Sequence, residues 1–329
     1  LNTFKSFESK LYTVNDQSFT DIALELFHFQ ASNNPVYRDF IKNLSIDVQS
    51  VKNLEQIPFL PISFFKHTLL KSGTWNPEVI FTSSGTGSNG VSRHAVASME
   101  FYLQHARRCF EYFFGSITEY HVLALLPSYL ERQGSSLIAM IDHFIKSSLS
   151  TYSSFYLHDT DRLLVDIVKL QGDKQKVILW GVSFALLDLA EYYRLDLSKT
   201  MIVETGGMKG RRKEITRAEL HNILGQALSV REIFSEYGMT ELLSQAYTRG
   251  DDRFVCPPWM KVLVRELTDP LEKGIRSQTG GINVIDLANI HSIAFIETED
   301  LGKVYDDGTF EVLGRMDNSD IRGCNLLVE

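Results

Sequence analysis

Between about residues 120 and 240 of this 329-residue chain, short apolar runs alternate with stretches of helical periodicity, and that alternation limits the possible folds more than any other feature. HVLALLP (121–127), KVILWG (176–181), TMIVETGG (200–207) and VREIFSEYG (230–238) read as strands, the last running into a turn. Between them, SSLIAMIDHFI, SFALLDLAEYY and ITRAELHNIL read as amphipathic helices. Apolar strands joined by helical crossovers build a largely parallel sheet with helices on its faces, and such sheets bind ligands at the carboxyl ends of their strands. The expected class is therefore α/β.

From about 259 the pattern shifts to short β segments separated by turns: MKVLVREL, GGINVIDL, HSIAFIET and TFEVLG. A linear reading divides the chain into an α/β core, 1–258, and a small β-rich subdomain, 259–329. At the start, Phe19, Ile22, Ala23, Leu26 and Phe27 share a helix face, and Asn33-Asn34-Pro35 breaks it. IPFLPISFFK (57–66) has prolines at 58 and 61 and reads as a packed extended segment.

Composition narrows the partners. With 44% hydrophobic and 22% charged residues the chain is that of a soluble globular protein, and a formal charge of −8 gives no reason to expect nucleic acid. The basic run KGRRKE (209–214) is expected to be a solvated face or loop rather than a binding patch. The most apolar run, Val177 to Ala190, is interrupted by Gly181, Ser183 and Asp188 and falls short of the ~20 residues that span a bilayer, so no membrane span is expected. Lys5, Glu8 and Lys10 break any apolar core of a secretory leader. Cys109, Cys256 and Cys324 are few and far apart, which fits a reducing cytoplasm rather than a disulfide framework. Cys109 falls on the apolar face of a helix that Ser98 can cap, and His105 and His121 lack paired metal-ligand spacing.

FTSSGTGSNG (81–90) is where chemistry is expected. Backbone so rich in glycine turns sharply and can aim several N–H groups, with the hydroxyls of Thr82, Ser83, Ser84 and Thr86, at a polyphosphate; the same residue types also make an ordinary hairpin tip. Gly85, Gly87 and Gly90 formally spell GxGxxG, but a dinucleotide fold opens a helix on those glycines, and extended VSRHAV follows here. The Lys-Ser/Thr pair of a Walker loop is absent.

Three segments in order resemble the adenylate-forming superfamily of acyl and aryl ligases. FTSSGTGSNG is similar to its TSGTTG-type phosphate loop, SEYGMTE (235–241) to its YGxTE motif, and TEDLGKVYDDGTFEVLGRMD (298–317) to its TGDLG…DG…GRxD segment. IPFLPISFFK, ETGGMKG and IRGCN look most like the LuxE-type acyl-protein synthetases, with phenylacetate-CoA ligases as relatives. The resemblance implies a large N-terminal-type adenylation domain and ATP and Mg²⁺ as cofactors. It would place Thr82, Ser83, Ser84, Gly85, Thr86 and Gly87 on the β- and γ-phosphates, Thr240 on the α-phosphate and Glu241 on Mg²⁺. Gly206, Gly207 and Met208, with Glu236, Tyr237, Gly238 and Met239, would enclose the adenine. Asp300 would accept the ribose hydroxyls, with Arg315 beside the ribose or the α-phosphate. By its position, nine residues after Arg315 in the hinge-like segment, Cys324 is expected to carry the acyl group as a thioester, with Cys256 the other plausible acceptor. The implied substrate is a carboxylic acid, of the fatty class by the LuxE resemblance. The acyl acceptor is then a reductase or carrier protein, or CoA; a non-catalytic nucleotide-binding relative is the alternative.

Taken singly, Glu241 also reads as an acid at a helix start, Asp300 as a turn residue, Arg315 as half of a surface ion pair and Cys324 as a small apolar residue. The chain also departs from the superfamily pattern. Ser88-Asn89-Gly90 lacks the usual loop lysine, Glu299 stands where glycine is usual, and five residues follow Cys324, so the mobile C-terminal domain with its catalytic lysine is expected to be missing from this chain.

Overall fold

Helices α1 (Asn2–Leu11), α2 (Phe19–Asn33) and α3 (Pro35–Asn43) open the chain, in a computed structural model that describes residues 2–83, 90–126, 134–157, 159–208, 212–213, 215–267 and 278–316. Asn34 joins α2 to α3: its N–H reaches the Gln30 carbonyl at 2.8 Å and its side chain accepts from the Tyr37 N–H at 3.2 Å. Pro35 sits in the first turn of α3, where no backbone donor is needed. The segment 57–66 is extended only over β1 (Leu60–Pro61) and then makes one helical turn, α4 (Phe64–His67), because both prolines lie before that turn and leave it unhindered.

By packing, the chain divides into two compact units, Leu1–Trp75 with Pro258–Glu329, and Asn76–Pro257. The second unit holds a hairpin, β2 (Val79–Thr82) and β3 (Arg93–Val96), then α5 (Met99–Phe114), β4 (Tyr120–Leu125), α6 (Ser136–Ser147), β5 (Ser154–Phe155) and α7 (Thr160–Leu170). It continues through β6 (Lys176–Val182), α8 (Ser183–Tyr192), β7 (Thr200–Thr205), α9 (Arg217–Leu228), β8 (Ile233–Tyr237), β9 (Ala246–Thr248) and β10 (Phe254–Val255). Strands lie in the order β5-β4-β6-β7-β8, all parallel, followed by antiparallel β9 and β10. Val177, Ile178, Leu179, Trp180, Ile202 and Val203 are buried along β6 and β7, as a sheet covered on both faces requires. The Ser98 hydroxyl caps α5 by accepting from the Phe101 N–H at 3.2 Å, and Cys109 lies buried on its inner face. No helix among the described residues is long and apolar enough to cross a membrane.

In the first unit β11 (Met260–Arg265), β12 (Thr279–Asp286), β13 (Phe295–Val304) and β14 (Phe310–Arg315) form an antiparallel meander. The opening residues pack with it: β1 runs parallel to β13 with Leu60 opposite Ile296. The buried Gln30 side chain donates to the carbonyls of Asn289 and Ile290, at 2.8 and 3.1 Å, and accepts from the Ala294 N–H at 2.9 Å. Compactness therefore groups 1–75 with the late strands, a pairing that a linear cut at 258 does not express.

Buried Arg265 ties this sheet internally, donating to the Ile282 carbonyl and the Asn283 side chain at 2.9 Å and to the Thr298 carbonyl at 2.8 Å. Its guanidinium fits because Gly281 has no side chain; a Cβ there would stand 2.7 Å from both terminal nitrogens. Gly281→Ala should therefore cost about 3 kcal/mol or more, the scale of stripping a buried charge of its partners. Gly172→Ala, with open space around it, should stay within about 0.5 kcal/mol. Denaturant unfolding of the two variants checks the contrast, and equal midpoints would contradict it.

Candidate functional site

β7 and β8 are parallel neighbours, with Thr205 opposite Glu236, so the turns that leave them emerge side by side at their carboxyl ends. The first turn is Gly206-Gly207-Met208; Gly206 has φ +72 and both glycines are exposed, while Met208 is buried. The second is Gly238-Met239-Thr240-Glu241, in which the Leu242 N–H returns to the Met239 carbonyl at 3.1 Å. Glycine is required at 238, because a Cβ there would collide with the Glu236 carboxylate. That carboxylate is turned inward and accepts from the Thr205 hydroxyl, which links the ends of the two strands. Tyr237 is also largely buried, its ring 5.7 Å from that of Phe254, so it presents little open face to the turn.

A buried charge supports the first turn. Glu204, near the end of β7, accepts from the Ser183 hydroxyl at 2.8 Å and has Arg217 and His221 at 3.7 and 3.9 Å. Burial, the strongest influence, pushes its carboxyl up. Interactions with His221, with the Arg217 charge and with the hydroxyls of Ser235 and Ser183 together outweigh burial and hold it below its ordinary value. The Ser183 oxygen also lies 2.9 Å from the Gly206 carbonyl, so the ionised cluster reaches the turn itself.

The expected phosphate stretch joins β2 to β3. Thr82 closes β2 and Ser83 follows, its N–H donating to the Ser92 carbonyl at 3.1 Å and its hydroxyl accepting from the Ser92 N–H at 3.0 Å. Ser84, Gly85, Thr86 and Gly87 lie outside the described residues, as does Cys324. The hairpin is fastened to the second turn by His94, whose Nδ1 lies 2.8 Å from the Thr240 carbonyl. A carbonyl can only accept, so Nδ1 carries the proton. Deeper in, His105 Nε2 meets the Ser244 hydroxyl at 2.8 Å. Glu241, the expected metal ligand, is buried. Among the described residues no group of three or more His, Cys, Asp or Glu side chains converges as a metal site.

In the other unit, Asp300 on β13 faces Arg315 on β14 in register, with Arg315 Nε 3.5 Å from its carboxylate. The Asp300 N–H donates to the Thr298 hydroxyl at 3.1 Å. Beside it, Glu299 has Lys66 Nζ at 3.6 Å, so the acid that replaces a customary glycine has a cation from the PISFFK segment. Neither His94 nor Glu204 was singled out from the sequence. For His94 the sequence carries no local signal, since its partner Thr240 lies 146 residues away.

No protein-family model matches the chain, and no curated protein matches it. Solved structures do. A 2-hydroxyisobutyryl-CoA ligase in complex with 2-HIB-AMP and CoA aligns with TM-score 0.66 and 14% identity over 92% of this chain and 68% of its own. ATP-bound MatB from Rhodopseudomonas palustris gives 0.54 and 18% over 72% and 47%. A long-chain-fatty-acid-CoA ligase from Archaeoglobus fulgidus gives 0.53 and 14% over 75% and 53%. The chain thus spans about half the length of the last two.

His94 and His105 give the site a pH signature. Burial, the main cause in both, lowers them to about 4 and about 3 from an ordinary 6.5. Below pH 6.5 the unfolded chain takes up protons that the native imidazoles refuse, so stability is lost as pH falls from about 6.5 towards 4, by about 1.4 kcal/mol per pH unit per histidine. Unfolding midpoints at pH 7 and pH 5 should show the drop, and the double variant His94→Asn, His105→Gln should show a shallower one. At these sequence identities the likeness to solved structures is one of fold, and the fold of this chain is that of the N-terminal domain of adenylate-forming acyl-CoA ligases.

Proposed function

We propose that this chain activates a carboxylic acid with ATP. The acid's carboxylate oxygen bonds to the α-phosphorus, the bond from that phosphorus to the bridging oxygen of pyrophosphate breaks, and an acyl-adenylate results. The acyl group then passes to a thiol with release of AMP. The observation that carries this reading is the His94–Thr240 hydrogen bond, which fastens the hydroxyl-rich hairpin to the Thr240-Glu241 turn beside Gly206–Met208. The fold shared with ligases solved with ATP or acyl-AMP supports it.

In this reading Thr82 and Ser83 begin the polyphosphate cradle and Thr240 holds the α-phosphate. Glu241 would hold Mg²⁺, a hard cation that seeks carboxylate oxygen and needs few protein ligands. The cation supplies charge neutralisation. Thr240 and Glu241, fixed through the Thr240 carbonyl, hold the α-phosphate in line, so positioning and electrostatics carry the rate. Asp300 is assigned to the ribose by resemblance, with Arg315 as its neighbour.

For the acceptor, the LuxE-type resemblance points to a protein thiol, with Cys324 as carrier, a fatty acid as substrate and a reductase or carrier protein as recipient. A second reading, transfer to CoA, is favoured by the CoA bound in the 2-hydroxyisobutyryl-CoA ligase structure.

Carboxylate-dependent ATP–pyrophosphate exchange over a series of acids tests the activity, and its absence with every acid would leave a nucleotide-binding protein. Glu241→Gln should abolish exchange while the protein stays folded. Asp300→Ala should weaken nucleotide binding by about 1.5–3 kcal/mol, read by calorimetry. Incubation with Mg-ATP and a labelled fatty acid should leave a hydroxylamine-sensitive adduct that Cys324→Ala lacks; label on CoA and none on protein would establish the CoA reading instead.

A further inference from the structure

The phosphate loop read from the sequence has no lysine, since Ser88-Asn89-Gly90 stands where one is usual. A triphosphate carries about four negative charges, and charge-assisted hydrogen bonds are the strong means of holding it. The hairpin offers a substitute. Thr82 and Arg93 are directly opposite each other in β2 and β3. The Thr82 N–H donates away from β3, to the Gly134 carbonyl at 2.8 Å, which makes this a non-hydrogen-bonded antiparallel pair, the kind whose side chains stand closest.

Alternation then separates the two faces. Phe81 and His94, one step along, are 2% and 1% exposed and point into the protein, so Thr82 and Arg93 share the outward face. Gly134, at φ +84, borders this face; a Cβ there would lie 3.2 Å from the Thr82 hydroxyl oxygen, so glycine keeps the approach to that hydroxyl open. Arg93 is exposed, and among the described residues no acid, ring or carbonyl engages it. Arg107, Arg162, Arg212, Arg217, Arg265 and Arg315 each have a carboxylate within 4 Å.

We propose that Arg93 is a substrate-binding residue whose guanidinium, beside the Thr82 hydroxyl, takes the β- and γ-phosphate oxygens of ATP in place of the missing loop lysine. This assignment rests on the adenylation reading. When the acid's oxygen bonds to the α-phosphorus and the bridging bond breaks, the electron pair leaves with pyrophosphate, and Arg93 offsets the charge gathering there. Its planar fork suits two phosphate oxygens better than an ammonium does, so lysine at 93 should serve in part.

The test compares wild type, Arg93→Gln and Arg93→Lys in calorimetric binding of Mg-ATP and of AMP, and in pyrophosphate exchange. Arg93→Gln should lose about tenfold or more in Mg-ATP affinity, while AMP, which lacks the two outer phosphates, binds within about twofold of wild type. Arg93→Lys should fall between, and the thermal midpoint should not move because the side chain is exposed. Equal Mg-ATP affinity in wild type and Arg93→Gln, with exchange intact in both, would overturn this assignment alone. An equal loss of AMP binding would overturn it too, by making Arg93 a general support of the site. A wild type that binds no nucleotide would overturn the adenylation reading and this assignment together.

Discussion

Parallel pairing decides where chemistry can sit in this protein. β4, β6, β7 and β8 are hydrogen-bonded side by side and apolar through their middles, so polar side chains gather towards the strand ends. The change is abrupt. In β7 it falls at Glu204 and Thr205 after Ile202 and Val203, and in β8 at Ser235 and Glu236 after Ile233 and Phe234. Even at the end of β6, Gly181 leaves room that the Leu186 side chain fills, so that strand contributes packing rather than polarity. The two turns that carry Gly206–Met208 and Gly238–Glu241 are therefore a consequence of strand direction.

Burying polar groups at those ends demands partners, and the partners set which parts are rigid. Glu204 is held by Ser183, Arg217 and His221, and removing Arg217 would strip a buried carboxylate of its cation, at a cost of about 3–5 kcal/mol. The Arg315–Asp300 pair is of the other kind. Arg315 is 79% exposed and Asp300 12%, so their attraction is screened and worth about 0–1 kcal/mol. Arg315 can leave Asp300 cheaply, whereas Arg217 cannot leave Glu204.

Much of this was legible because periodicity and glycine spacing are local. Helices α5, α6, α8 and α9 and strands β4, β6, β7, β8 and β11–β14 follow from apolar patterning. The two- and three-residue strands β5, β9 and β10 do not, since such short pieces exist only through the neighbours they pair with. Helix α7 is less legible: Leu163, Ile167 and Leu170 share its buried face, but Val165 and Val168, exposed on the other side, blur the pattern. His94 could not be assigned from sequence because its partner Thr240 lies 146 residues away. The grouping of 1–75 with the late strands is invisible for the same reason: β1 meets β13 across most of the chain.

That long-range pairing also fixes the place of Asp300. The first part of β13 lies between β12 and β1, with Ile296 opposite both Val284 and Leu60; from Asp300 onward its other neighbour is β14. At the changeover β12 shifts register between Gly281 and Asn283, and the Thr298 hydroxyl donates to the Ile282 carbonyl at 2.8 Å while accepting from the Asp300 N–H. Arg265 fills the same irregularity from below, bonded to the Ile282 and Thr298 carbonyls. A side-chain hydroxyl and a buried guanidinium thus satisfy backbone groups that the changing ladder leaves over. Asp300 is the first residue past that junction, which gives its carboxylate a fixed root without a strand neighbour packed on both sides. The acid is held where the sheet exchanges one partner for another, and the residues that make the exchange possible, Gly281, Thr298 and Arg265, never need to touch a ligand to determine where Asp300 stands.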